Sequence, residues 1–316
     1  MKRTALYYWW LIAFGLASIA IVRDPWFHFR STDDFFVPSH LVGAFGVLIG
    51  LFLLVIMVRG GTRGRALYTA IAGFSILLIG GTADRVYHGS ADIAAIAWNP
   101  SHFILSFGML FLILGVMRQL IKDASYAVMP TRSRDGLLMA FSIALLGLLW
   151  IPLLQQELPV SSVDFTIFPT WFYALYAGLC MGFVFKLVHD LVPRYGSVMS
   201  VAGGYLVCRL AADFFVPAGE SAASMIPYFL MLSAVLFECA YPFFMTRAKG
   251  VLGVYTMALL LMVPLASIAF IHTYPPIHPA ISLASLVWAL GSASIGIILA
   301  RPFELVFFPH AHEAEL

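Results

Sequence analysis

The sequence predicts an all-α fold: a polytopic transmembrane helical bundle of about ten spans, with both termini cytoplasmic. Three observations lead there, namely the composition, ten apolar runs of spanning length, and a one-sided distribution of basic residues. Hydrophobic residues make up 61% of the 316 and charged residues 11%, against roughly 25% charged in an average soluble domain. Mean hydropathy is +0.93. A soluble core of this length cannot hide so much apolar surface from water, whereas a bilayer can, because there lipid is the solvent. The formal net charge of +2, without any basic block, excludes nucleic acid as an expected partner.

A span needs about 20 apolar residues. The runs that meet or approach this are 6–28, 38–58, 66–88, 100–121, 136–155, 166–188, 195–215, 223–246, 250–272 and 279–300. The first follows Lys2 and Arg3. It resembles a signal peptide, but retention as a first helix is expected, because Asp24 and His28 just beyond it join a pattern described below. The second opens at Pro38 and stops at Arg59. The third starts past the Gly-rich 60–64 turn and ends at His88. The fourth opens at Pro100 and closes towards Arg118 and Lys122. The fifth follows Arg132 and Arg134, the sixth ends before Pro193 and Arg194, and the seventh ends before Pro217. The eighth stops at Arg247 and Lys249, the ninth at His272, and the tenth runs from Pro279 to Arg301. Proline, glycine and clustered charge are the expected punctuation of helices.

With the N-terminus inside, Lys2, Arg3, Arg59, Arg63, Arg65, Arg118, Lys122, Arg132, Arg134, Lys186, Arg194, Arg247, Lys249 and Arg301 fall on one side. Only Arg23, Arg30, Arg85 and Arg209 fall on the other. Basic residues mark the cytoplasmic side, so a multi-pass protein of the cell (inner, or cytoplasmic) membrane is expected. Its outer connections would carry most of the Asp and His residues. Cys180, Cys208 and Cys239 lie in apolar stretches without a CxxC pair. They read as small buried hydrophobes rather than disulfides or a thiolate metal site.

Two outer hairpins repeat one pattern. The first reads Asp24-Pro-Trp-Phe-His28, then Pro38-Ser39-His40; the second reads Asp84-Arg-Val-Tyr-His88, then Pro100-Ser101-His102. Residues four apart share a helix face, which sets each Asp with its His on the last turn of a span. Proline suits the first turn of the returning helix, which sets His40 and His102 facing back across their hairpins. Each hairpin then offers two imidazoles and one carboxylate, a recurring ligand set for divalent first-row metals that leaves positions open. Copper, iron and zinc all accept it. One such pair alone is commonly a solvated interfacial pair; two copies on the same side point to metal binding. The expected ligands are Asp24, His28 and His40 at one site, and Asp84, His88 and His102 at a second or shared site.

These residues resemble the C subunit of the copper membrane monooxygenases, the particulate methane and ammonia monooxygenase family. That subunit carries an Asp-x-x-x-His motif followed by Thr-Asp-Phe-Thr-Pro-Ser-His. Here Asp24 and His28 precede Ser31-Thr-Asp-Asp-Phe-Phe-Val-Pro-Ser-His40. The resemblance covers roughly residues 20–115. It implies that Asp24, His28 and His40 hold copper. It also implies a nearby second site on Asp84, His88 and His102, where the family has Asn at the position of Asp84. The implied chemistry is oxidation of a small apolar substrate by oxygen, with partner subunits or a homo-oligomer. Residues 1–122 then form a four-helix membrane module with two metal-site hairpins, and 123–316 add about six helices with no assigned role.

Two other functions use the same residues. A membrane metal transporter or metal-handling protein would capture the ion at the outer face and pass it along Glu238, Arg209 and Asp213. A non-catalytic assembly subunit would hold a structural ion. Arg209 and Asp213, four apart, read as an ion pair. Glu238, inside the eighth span, reads either as a proton relay or as a neutral acid bonded to a hydroxyl of a neighbouring helix. His189 and Asp190 read as a solvated loop. His272 and His278 read as a polar loop, and His310 and His312 as part of a disordered tail. The aromatic residues Phe27, Phe29, Phe35, Phe36, Trp98 and Phe103 flank the candidate sites, as substrate walls or as an interfacial belt.

Overall fold

The computed structural model describes residues 3–30, 38–88, 100–125, 129–157, 171–215, 227–244, 250–271 and 283–309. Among these the chain is entirely helical, in ten helices: α1 (Arg3–Arg30), α2 (Pro38–Arg59), α3 (Arg65–His88), α4 (Pro100–Ser125), α5 (Thr131–Glu157), α6 (Trp171–Leu191), α7 (Ser197–Phe215), α8 (Phe229–Phe244), α9 (Val251–Ile271) and α10 (Leu283–Phe307). Each falls on one of the ten apolar runs, and α2 and α4 open at Pro38 and Pro100 as expected.

Six stretches among the described residues are long and apolar enough to cross a membrane: His40–Arg59, Arg65–Val86, Pro100–Ala124, Thr131–Leu153, Phe172–Leu191 and Leu286–Phe307. Shorter apolar helices occupy Ser197–Ala211, Phe229–Phe244 and Val251–Pro264. The protein is therefore a multi-pass membrane protein. Large apolar side chains point outward along these helices, with Phe45, Leu48, Phe52 and Ile79 all exposed. Such a surface is stable only against lipid or another apolar partner.

The helices group into two compact units. One comprises Met1–Leu148 with Phe307–Leu316, and the other Leu149–Val306.

In the first unit α1 pairs with α2 and α3 with α4. The α3/α4 contact is backbone on backbone. A Cβ placed on Gly80 would lie 2.9 Å from the Leu105 amide nitrogen, one on Gly108 2.6 Å from that of Leu77, and one on Gly115 2.6 Å from that of Ala70. Small residues at seven-residue spacing thus let the two axes approach closely, the usual source of helix association in lipid. The pairing runs antiparallel in one register, with 84 against 101, 80 against 105, 77 against 108 and 70 against 115.

The α1/α2 hairpin is built the same way. A Cβ on Gly43 would lie 3.1 Å from that of Ala20, and one on Gly46 2.9 Å from the Ala13 carbonyl oxygen and 3.3 Å from the Ala17 amide nitrogen. Gly46 therefore does against Ala13 and Ala17 what Gly108 does against Gly73 and Leu77, so the sequence repeat is also a repeat of packing. Continued along α1 and α2, this register sets position 24 opposite position 39, as 84 stands opposite 101. Away from the hairpin ends, Trp10 stacks on Phe14 at 5.6 Å, and Phe14 meets Phe141 edge-on at 5.9 Å.

In the second unit α6 and α10 approach through Gly178, Gly182 and Gly296. The Ser292 hydroxyl donates across this contact to the Leu175 carbonyl at 2.6 Å. Trp150, Tyr205 and Phe229 form an aromatic cluster, with ring centroids 6.2 and 6.1 Å from Trp150.

Candidate metal centre

The second hairpin brings three polar side chains together at the mouth of the α3/α4 pair. Asp84 lies four residues before the end of α3 at His88. Ser101 and His102 occupy the first turn of α4, directly after Pro100. The close glycine contacts at 80/105 and 77/108 hold the axes near enough for these short side chains to meet. The Ser101 hydroxyl donates to Asp84 Oδ1 at 2.6 Å, and His102 Nε2 stands 3.2 Å from the same oxygen. The Asp84 side chain is 6% exposed and that of His102 19%. A carboxylate so deep in an apolar bundle costs free energy unless partnered, and here a hydroxyl and an imidazole supply the partners.

Of the six expected ligands, the structure thus joins Asp84 and His102. His40 sits half-buried in the first turn of α2. Asp24 and His28 lie on α1 and His88 is the last residue of α3; their side chains fall outside the described residues. Among the described residues no group of three His, Cys, Asp or Glu side chains converges on one point. The expected loop residues His272, His278, His310 and His312 also fall outside, as do the side chains of Phe27, Phe29, Phe35, Phe36, Trp98 and Asp213. Arg209 is buried on α7, on the same helix as Asp213.

Ser101 was legible as part of a repeated Pro-Ser-His string, yet its role as the donor to Asp84 emerges only from the helix register. The contact shown is a buried carboxylate within ion-pairing distance of an imidazole, with a hydroxyl as a second donor. A carboxylate oxygen and an imidazole nitrogen that share one ion stand about as far apart as 3.2 Å, since each sits roughly 2.0–2.2 Å from a first-row metal. A hydroxyl bonded to a ligating carboxylate orients it, an arrangement common around bound metals.

Two residues behave otherwise than their sequence context led one to expect. Glu238, offered as a proton relay or a neutral acid, is a helix cap. Its carboxylate accepts the backbone N–H of Gly196 and of Val198, each at 2.6 Å, and so closes the N-terminus of α7. Gly196 holds φ near +90°, a conformation that suits glycine. A carboxylate there satisfies amides left without intrahelical partners and meets the positive end of the helix dipole. Glu238→Ala is expected to lower unfolding stability by about 2 kcal/mol, since one buried and one part-buried amide lose their acceptor. Glu238→Gln, which keeps one oxygen, should lose less. Detergent-phase thermal unfolding measures both, and equal losses would count against capping. His189 is the second case. It lies on α6 rather than in a loop, with its ring 3.7 Å from that of Tyr241, while Lys186 and Asp190 pair along the same helix.

At the other end of the first unit, Asp123 gathers α1 and α4. It accepts from Arg3 at 2.7 Å, from the Tyr7 hydroxyl at 2.7 Å and from Gln119 at 2.8 Å. Compared with family models, curated proteins and solved structures, the chain has no match.

Proposed function

We propose that this protein is a metal-binding, copper-dependent oxidase or monooxygenase-like protein of the cytoplasmic membrane. Its two hairpins would face the extracytoplasmic side and act on a small apolar substrate. The observation that carries the reading is the Asp84–Ser101–His102 cluster, together with an α1/α2 hairpin whose packing repeats that of α3/α4. A buried carboxylate beside an imidazole, at the mouth of a pair of helices held by glycine, is a donor set that fits a first-row metal. Asp84, His88 and His102 would hold one ion; Asp24, His28 and His40 would hold another, or share it. Copper, or iron or zinc in its place, is the cofactor, and a bound copper would supply one-electron chemistry with oxygen.

The chain's own residues then have definite tasks. Ser101 holds Asp84 in orientation. Asp84 sets the His102 ring. The apolar flank of α4, including exposed Phe103, admits a lipophile from the bilayer. Partner subunits or a second copy would complete the assembly, as in the family these motifs resemble. Transport is the weaker alternative, because Glu238, one of the few acids available for an inward path, is committed to capping α7.

Metal analysis of the purified full chain tests the reading. Wild type is expected to retain copper, and His28→Ala and His88→Ala each to lose a share of it. Metal content unchanged in both variants would remove metal binding at these hairpins. Uptake of metal into sealed vesicles would favour transport over oxidation.

A further inference from the structure

A second charged feature lies at the opposite end of the first unit. The α2–α3 turn is a tight glycine connection. The N–H groups of Gly61 and Thr62 return to the carbonyls of Val58 and Met57, and Gly61 and Gly64 hold φ of +80° and +89°. This closes α2 and starts α3 at Arg65 with no acidic residue in its first turn. Between the turn and the end of α4 is a cavity of about 320 Å³, lined among the described residues by Arg63, Gly64, Arg65, Arg118, Lys122 and Pro309, with no carboxylate among them. Arg118 lies within electrostatic reach of Arg65. An adjoining cavity of about 360 Å³ shares Arg63 and Lys122 and adds Arg3, Thr62 and Gln119. The one acid in its wall among the described residues, Asp123, already accepts bonds from Arg3, Tyr7 and Gln119.

The guanidinium groups of Arg63, Arg65 and Arg118 around one small cavity repel one another, and the free energy falls when an anion enters. Guanidinium forks match the oxygens of a phosphate in pairs. The first amides of α3 add donors on the same side. The volume is at the small end for ligand pockets.

We infer that this cavity binds a phosphate group, presented either by an anionic phospholipid headgroup or by a soluble phosphate. Basic pockets between helix ends at a membrane face are suited to lipid phosphates, and the site is independent of the metal hairpins.

The test uses the full chain in a neutral detergent. Native mass spectrometry with phosphatidylglycerol or phosphatidylcholine reads the lipid arm. Thermal unfolding with pyrophosphate against chloride at matched ionic strength reads the soluble arm. The variant Arg63→Gln/Arg65→Gln changes two exposed side chains and, with repulsion relieved, should keep a ligand-free midpoint at or above that of wild type; Arg59→Gln, which does not line the cavity, is the control. The expected result is selective binding of one phosphate-bearing ligand, weakened about tenfold for each guanidinium removed and unaffected in the control. Preferential retention of phosphatidylglycerol identifies the lipid source, and a midpoint rise with pyrophosphate alone identifies the soluble one. Equal binding by wild type and the double variant in both arms overturns the proposal, as does equal weakening by Arg59→Gln. Arg118→Gln gives the same reading should the double variant fail to fold.

Discussion

Asp84→Ala is expected to lower metal affinity at the second hairpin by at least about tenfold to a hundredfold, the range seen when a group that holds or orients a ligand is lost. It should also lower unfolding stability by about 2 kcal/mol. The stability effect follows from burial: the Ser101 hydroxyl loses its 2.6 Å acceptor and His102 loses the oxygen 3.2 Å away, and a buried donor without its partner keeps its full desolvation cost. Asp84→Asn separates the two effects. Asparagine retains a carbonyl oxygen for Ser101, so stability should stay close to wild type, while the loss of one negative charge weakens hold on a cation. With its amide oxygen and the imidazoles of His88 and His102 kept, copper binding should be reduced rather than abolished. Copper titration against a competing chelator, run beside thermal unfolding, checks both variants. Wild-type affinity in Asp84→Ala would reduce the carboxylate to a purely structural partner of α4.

Gly108→Ile should be strongly damaging to the first unit, at about 3 kcal/mol. The added Cβ alone would lie 2.6 Å from the Leu77 amide nitrogen and 2.9 Å from the Gly73 carbonyl oxygen. Neither is a flexible side-chain tip that can swing away, so α3 and α4 must part. The 80/105 contact lies one turn from Asp84, and parting the axes pulls Asp84 out of reach of Ser101 and His102. Metal at the second hairpin should therefore be lost together with stability, while metal at the first is kept. Gly81→Ile is the control, because Gly81 has open space around its α-carbon. Thermal unfolding and metal stoichiometry of the two variants decide the matter. Equal behaviour would mean that the close approach at 108 does not position the site.

The α1/α2 hairpin has the same small-residue contacts one repeat earlier, with Gly46 in the place of Gly108. Duplication of packing, rather than of ligand residues alone, is what makes two equivalent sites chemically reasonable. A repeated Asp-x-x-x-His string on differently packed hairpins would place its carboxylates at different depths and in different partnerships.

The helices, and the starts of α2 and α4, were readable from the chain alone, while other ends lie several residues away, α10 reaching Phe307 rather than 300. A bilayer imposes a minimum length on any apolar run, and proline, glycine and basic residues punctuate those runs locally, so α2 begins at Pro38 and α4 at Pro100 without reference to the rest of the molecule. The Asp and His repeat was readable for the same reason, because four-residue spacing has meaning within a single helix. Partnerships across helices were not. Ser101 reaches Asp84 across 17 residues, and Glu238 reaches the Gly196 amide across 42. Arg63 and Arg118 meet around one cavity from different elements. Each of these depends on the register and rotation of one helix against another, which are set by where glycine lets backbones touch. Hydropathy carries no signal for that, since in lipid every face of an apolar helix is equally content until a close-packed partner selects one. Composition and spacing thus determined a membrane bundle with a repeated Asp and His motif, and the tertiary packing alone decided which acid meets a hydroxyl and an imidazole, which acid caps a helix, and where the cations gather.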